Sequence, residues 1–165
     1  MQKDIDIIIY GATGFTGQLC VKYFQSRNTD VNWAIAGRDQ DKLQKVASDN
    51  SVDVEILIAD SDDEVALDIL TSRAKVILST TGPFHRYGSK LVASCVKNSA
   101  NYVDITGENF WVKGLIAKHH EEASAKGIRI IPSCGYDSIP SDLGVFYSAK
   151  VLNKPIKRIE SFHSW

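Results

Sequence analysis

A doubly wound α/β fold, with a mostly parallel sheet of about six strands, is what this sequence predicts. Three observations carry the prediction. Short apolar runs alternate with longer amphipathic stretches along the chain. The first run ends in a glycine-rich turn, Gly11, Gly14 and Gly17, and a helical pattern follows it directly. The stretches between runs read as helices, which makes the strands parallel and covers both faces of the sheet.

The elements follow in order. Residues 5–10 are apolar except for Asp6 and read as a strand buried on both faces. Phe15, Leu19 and Tyr23 then recur at i, i+4 and i+8, with Cys20 and Phe24 beside them, as the apolar face of a helix. Residues 31–36 form the second strand, and a helix carrying Leu43, Val46 and Ala47 on one face follows. Residues 54–59 are the third strand; residues 62–73 are a helix opened by acids that suit its N-terminus. A strand at 75–80, a helix at 89–98 and a strand at 102–105 come next. A long helix at 110–126 is closed by Gly127 in the C-cap position. Residues 128–131 are the sixth strand, stopped by Pro132, and 143–152 a last helix, with Asp142 expected as its cap. The natural strand order is 3-2-1-4-5-6, that of a Rossmann domain.

Composition narrows the function classes. The chain of 165 residues is 44% hydrophobic and 24% charged, an ordinary globular balance. A formal net charge of -1 gives no reason to expect nucleic acid as a partner. Cys20, Cys95 and Cys134 are odd in number and far apart, so neither a disulfide framework nor a zinc site is expected, and a cytoplasmic setting is. The first apolar run is too short for a signal peptide or a membrane span.

The turn Gly11-Ala12-Thr13-Gly14-Phe15-Thr16-Gly17 has the spacing G-x-x-G-x-x-G between strand and helix. Such glycines permit a sharp turn, close approach of a pyrophosphate, and tight packing of helix on strand. Helix N–H groups and the helix dipole then receive the phosphates, with the hydroxyls of Thr13 and Thr16 as further donors. The bland alternative is a tight turn with no ligand. A P-loop is excluded, because no Gly-Lys-Ser/Thr follows. At the end of the second strand, where an NAD site places an acid for the ribose hydroxyl, the chain has Ala36-Gly37-Arg38. A planar guanidinium there suits a 2′-phosphate, so NADP(H) is expected over NAD(H). Asp39 comes one position late and is expected to cap the next helix. Asp60, after the third strand, either accepts from the adenine amino group or caps a helix.

Besides GATGFTG and AGR, three more segments stand at strand ends: TTGPF (80–84), YVDITGE (102–108) and CGYDSIPSDLG (134–144). Together these resemble the saccharopine dehydrogenase-like oxidoreductases, a group that includes saccharopine reductases and trans-acting enoyl reductases, with the lipid-associated branch the closer match. The resemblance runs over residues 5–152. It implies an N-terminal NADP-binding domain, followed in the family by a second domain that binds substrate and dimerises. Residues 1–152 are thus expected to be the dinucleotide-binding domain and 153–165 the start of a second domain left incomplete. The family implies Gly11, Thr13, Gly14, Phe15, Thr16 and Gly17 at the pyrophosphate and Arg38 at the adenosine ribose phosphate. It implies Ser79, Thr80, Thr81 and Gly82 beside the ribose and nicotinamide, with Asp104, Thr106 and Gly107 closing the nicotinamide end. It further implies a small-molecule or lipid-linked substrate, a homodimer, and membrane or lipid association of the full-length protein.

Hydride transfer to an imine or enone also calls for a proton donor. Asp104, Tyr136 and Asp137 are the candidates, all at the carboxyl edge of the sheet. Asp104 has a competing role, holding neighbouring backbone N–H groups, and Asp137 one as a turn former. Cys134 has no histidine near it in sequence and is disfavoured as a nucleophile. His119 and His120 are adjacent, not i, i+4, and make a poor metal pair. His85 falls in a loop near the expected nicotinamide site, and His163 in the terminal segment. Phe110 and Trp111 are expected near the cleft, facing substrate or the second domain, and Phe162 and Trp165 to pack in that domain. A short-chain dehydrogenase mechanism needs Tyr-x-x-x-Lys; Tyr147 and Lys150, like Tyr87 and Lys90, are only three apart. The second functional class is a non-catalytic NADP(H)-binding redox sensor or scaffold.

Overall fold

The structure, a computed structural model, describes residues 3–27, 30–152 and 154–162; His163 and Trp165 lie outside them. Six strands and six helices alternate: β1 (Ile5–Tyr10), α1 (Phe15–Arg27), β2 (Trp33–Gly37), α2 (Gln40–Asp49), β3 (Glu55–Ile58), α3 (Glu64–Arg73), β4 (Ala74–Ser79), α4 (Phe84–Lys97), β5 (Asn101–Asp104), α5 (Asn109–Ala125), β6 (Ile130–Ile131) and α6 (Ile139–Leu152). The sheet order is β3-β2-β1-β4-β5-β6, and every pairing is parallel. This is the expected doubly wound arrangement.

The apolar run of β1 explains why the sheet is buried on both sides. Adjacent residues of a strand point to opposite faces. Ile8 therefore joins a core layer with Leu67, Leu91, Tyr102 and Trp111 under α3, α4 and α5. Ile9 joins Val21, Ile35, Leu43 and Val46 under α1 and α2. A Val, Leu or Ile side chain fully removed from water contributes roughly 1.5–3 kcal/mol.

Helix α1 keeps part of the expected apolar face, Cys20 and Phe24, in the core and turns the rest of it outward. Phe15, Leu19 and Tyr23 are 83%, 50% and 60% exposed, whereas Gly17 and Val21 are buried with Cys20 and Phe24 packed beside them. The cause is Gly17: its backbone must lie against the turn, and that contact fixes the rotation of the helix. Aromatic bulk then faces outward despite its periodicity.

Element ends differ where distant groups supply the missing bonds. Helix α4 starts five residues earlier than expected, immediately after Pro83. Helix α6 starts at Ile139, so Asp142 lies inside its first turn and is not its cap. None of the residues of α6 is buried. Strand β6 shrinks to two residues, because the Ile128 N–H turns back to Ala123 O to close α5 and the Arg129 N–H donates to Asn101 Oδ1. Gly127, at φ +65°, takes the left-handed position that ends α5. Among the described residues no helix is long and apolar enough to cross a membrane.

Candidate functional site

The glycine turn is stitched to two strands at the carboxyl edge of the sheet. The Gly11 N–H donates to Ala36 O at 2.9 Å, at the end of β2, and the Thr80 N–H donates to Tyr10 O at 2.9 Å, just beyond β4. Thr80 Oγ1 adds a bond to Gly11 O at 3.1 Å. Gly11 has φ +87°, and a Cβ on it would fall 2.2 Å from Thr81 Oγ1. A Cβ on Gly17 would fall 2.3 Å from Gly11 O and 2.7 Å from Ala12 Cα, both backbone atoms. At Gly14 it would meet only Gly11 O, at 3.4 Å, so the side facing the cleft is open.

A cleft of about 410 Å³ opens over this turn, within the range of small-molecule sites. Gly11, Thr13 and Gly14 form its floor, Gly37, Arg38 and Ser61 one end, and Thr80, Thr81, Gly82, Pro83 and Tyr87 the other; Tyr10 also lines it. The Tyr10 hydroxyl donates to Ala59 O at 3.2 Å. Burial raises its pKa, the carboxylate of Asp60 raises it further, and the Arg38 guanidinium opposes them. The floor is backbone and small side chains, as a phosphate chain requires. Thr81 Oγ1 is buried with no hydrogen-bond partner among the described residues, and so is left over for a ligand. These features fit a dinucleotide. Another groove, of about 350 Å³, runs between α5 and β6 with walls such as Leu115, Ile116 and Ile128; no glycine turn or helix N-terminus faces it.

Other residues of the expected set lie around the cleft. Gly17 is buried beneath the turn, and Ser79 closes β4 at 1% exposure. Thr16 is half-buried, while the Phe15 side chain points outward. Asp60 Oδ1 accepts from the Asp62 N–H at 2.9 Å, and it is Asp63 that caps α3. Asp39 caps α2, accepting from the Lys42 N–H.

Asp104 is 1% exposed. Its Oδ1 accepts from the N–H groups of Thr106 and Ser133, both at 2.9 Å, and its Oδ2 from the Tyr102 hydroxyl at 2.9 Å. The Cys134 N–H donates to Asp104 O at 2.7 Å. The carboxylate thus ties the loop after β6 to the end of β5. Burial raises its pKa above the usual carboxylate range, with the three donors pulling the other way. Thr106 is buried and Gly107 exposed. Tyr136 and Asp137 are exposed, in the turn that leads into α6. Trp111 is not available to substrate: it is 7% exposed, packed on Gly88 and Phe84, with Nε1 donating to Ser89 Oγ at 2.9 Å.

The sequence assigns no individual role to Tyr10, Ser61, Pro83 or Tyr87, which wall the cleft, or to Glu108 behind it. Starting α4 at Phe84 would have placed Tyr87 within the first turn of a helix that borders the cleft.

Strand order, glycine turn and cleft at the carboxyl edge define a dinucleotide-binding Rossmann domain. The chain belongs to the family of saccharopine dehydrogenase NADP-binding domains, whose model matches residues 7–131; it is an NADP-binding domain. It is 39% identical over 148 residues to the trans-acting enoyl reductase of Mycobacterium leprae (strain TN), covering 88% of this chain and 35% of that protein. It is 35% identical to a saccharopine dehydrogenase-like oxidoreductase of Mus musculus, covering 98% of this chain and 41% of that one. Apo saccharopine dehydrogenase (L-Glu forming) from Saccharomyces cerevisiae shares the fold at TM-score 0.72 and 19% identity, over 90% of this chain and 31% of that one. The chain thus spans well under half the length of these relatives.

Proposed function

We propose that this chain is the cofactor-holding part of an oxidoreductase that transfers hydride between NADP(H) and an imine, an enone or a related, lipid-linked substrate. The observation that carries the reading is the cleft itself: an open backbone floor at Gly14, with Arg38 at one end and at the other the Thr81 hydroxyl, which has no hydrogen-bond partner among the described residues. The names of the relatives support an oxidoreductase and, in the enoyl reductase, an enone-type acceptor. Bound here, the nicotinamide supplies or accepts the hydride.

The chain's own residues bind and orient. Gly11, Thr13, Gly14, Phe15, Thr16 and Gly17 present backbone N–H groups and hydroxyls to the pyrophosphate. Arg38 pairs with the 2′-phosphate, and Asp60 faces the adenine side. Ser79, Thr80, Thr81 and Gly82 line the nicotinamide ribose, and Thr106 and Gly107 close that end. Asp104 anchors the loop carrying Tyr136 and Asp137, the residues we assign to proton delivery; Asp104 itself is enclosed and saturated by three donors. Residues 1–152 form the dinucleotide-binding domain, and 153–165 open the part that meets substrate.

Calorimetric titration with NADPH and NADH, on the chain and on Arg38→Ala, tests the reading. NADPH is expected to bind more tightly than NADH, and the substitution to remove most of that preference, about tenfold or more. Equal affinity for both cofactors in the unaltered chain would refute the 2′-phosphate role of Arg38.

A further inference from the structure

Helix α4 begins beside the cleft, and its N-cap residue, Pro83, has no side chain that can cap it. The first N–H groups of a helix need acceptors. Glu108, 24 residues away in sequence, supplies them: Oε1 accepts from the Phe84 N–H and Oε2 from the His85 N–H, both at 2.8 Å. His85 Nδ1 lies 2.6 Å from Oε2. Burial of the Glu108 carboxyl favours the neutral form, but these N–H groups and the His85 ring outweigh it and hold its pKa below the usual range.

Glu108 is itself held in place. It is the N-cap residue of α5, and its N–H donates to Thr106 Oγ1 at 3.0 Å. The Thr106 N–H is fixed in turn on Asp104 Oδ1. The far half of α4 is secured separately, by Ser94 Oγ on Asp68 Oδ1 at 2.6 Å and the Lys97–Asp68 ion pair. What Glu108 governs is therefore the first turn of α4, and with it Gly82 and Pro83, which wall the cleft.

We propose that Glu108 is a positioning residue: it clamps the first turn of α4 to the start of α5 and so shapes the Thr80–Pro83 wall that receives the nicotinamide half of the cofactor. The inference rests on reading the cleft as the NADP(H) site with nicotinamide at this end. Glu108 does not line the cleft, and its effect passes through the backbone it holds.

Because the clamp acts on one half of the ligand, its test divides the ligand. NADPH and adenosine 2′,5′-bisphosphate, which carries only the adenosine end, are titrated into the chain and into Glu108→Ala and Glu108→Gln. Glu108→Ala is expected to weaken NADPH about tenfold and leave the bisphosphate within about twofold. Glu108→Gln keeps one acceptor oxygen, and its loss for NADPH is expected to be smaller, about threefold. Equal losses for both ligands would show a merely structural residue and overturn the proposal, as would unchanged NADPH binding in Glu108→Ala. If Glu108→Ala does not fold, Glu108→Gln decides on the same criterion. Failure of the unaltered chain to bind either ligand would overturn the cofactor reading, and this inference with it.

Discussion

At Gly17 an added Cβ would lie 2.3 Å from Gly11 O and 2.7 Å from Ala12 Cα. Neither atom belongs to a side chain that can swing away, so helix and turn must separate. Overpacking of this kind costs about 1–3 kcal/mol. Gly14 lines the cleft, and an added Cβ there would meet only Gly11 O, at 3.4 Å, leaving it on the open side. The two alanine variants should therefore part company. Gly17→Ala is expected to lower the melting temperature and NADPH affinity together; Gly14→Ala is expected to melt near the unaltered chain yet bind NADPH poorly. Thermal melts beside calorimetry read both, and normal NADPH binding by Gly17→Ala would refute the packing argument. The spacing of the glycines is legible in sequence because each role is local. The Thr81 hydroxyl over Gly11 is not, since it arrives from 70 residues away. Nor is the rotation of α1: a periodic stripe of Phe15, Leu19 and Tyr23 reads as a core face, and only the Gly17 contact turns it outward.

Helix α4 shows the same limit one level up. Gly82, Pro83 and Gly88 read locally as loop, which places the helix start at Ser89. It begins at Phe84 because Pro83 needs no N–H, because Glu108 caps the helix from another element, and because the space over Gly88 is filled by the Trp111 indole. A Cβ at Gly88 would lie 2.7 Å from Trp111 Cζ2. Gly88→Ala is expected to cost about 1–3 kcal/mol by overpacking. Trp111→Phe shortens the ring and should relieve part of that cost, so the double variant should be more stable than the sum of the singles predicts. A double-mutant cycle in urea measures the coupling; strict additivity would mean the α4–α5 contact does not set the cost. Strand order, by contrast, is legible. Alternating apolar runs and crossover helices leave few topologies, and β3-β2-β1-β4-β5-β6 is the one that results.

Across the whole molecule, two carboxylates near the nicotinamide end carry opposite pH signatures. Asp104 has a folded pKa raised by burial, so the folded state holds its proton more firmly than the unfolded chain does. Its stabilising contribution is complete below the ordinary carboxylate pKa of ~4 and is lost as pH rises through the raised value. Glu108, with Asp39 and Asp68, has a folded pKa lowered by its donors. Their contribution is present above the ordinary range and is lost as pH falls through the folded values. The lowered group is the larger, so the chain should lose stability in acid, while Asp104 alone works the other way. Asp104→Asn isolates it. The amide keeps an oxygen for the Thr106 and Ser133 N–H groups, and its NH₂ can donate to the Tyr102 hydroxyl. Compared with the unaltered chain, the variant should gain relative stability between pH 4 and pH 7, where the native carboxyl must ionise in an enclosed site. Urea midpoints for both proteins at the two pH values decide it: a stability difference independent of pH would mean that Asp104 ionises in the fold as freely as in the unfolded chain, and that its three donors fully offset its burial.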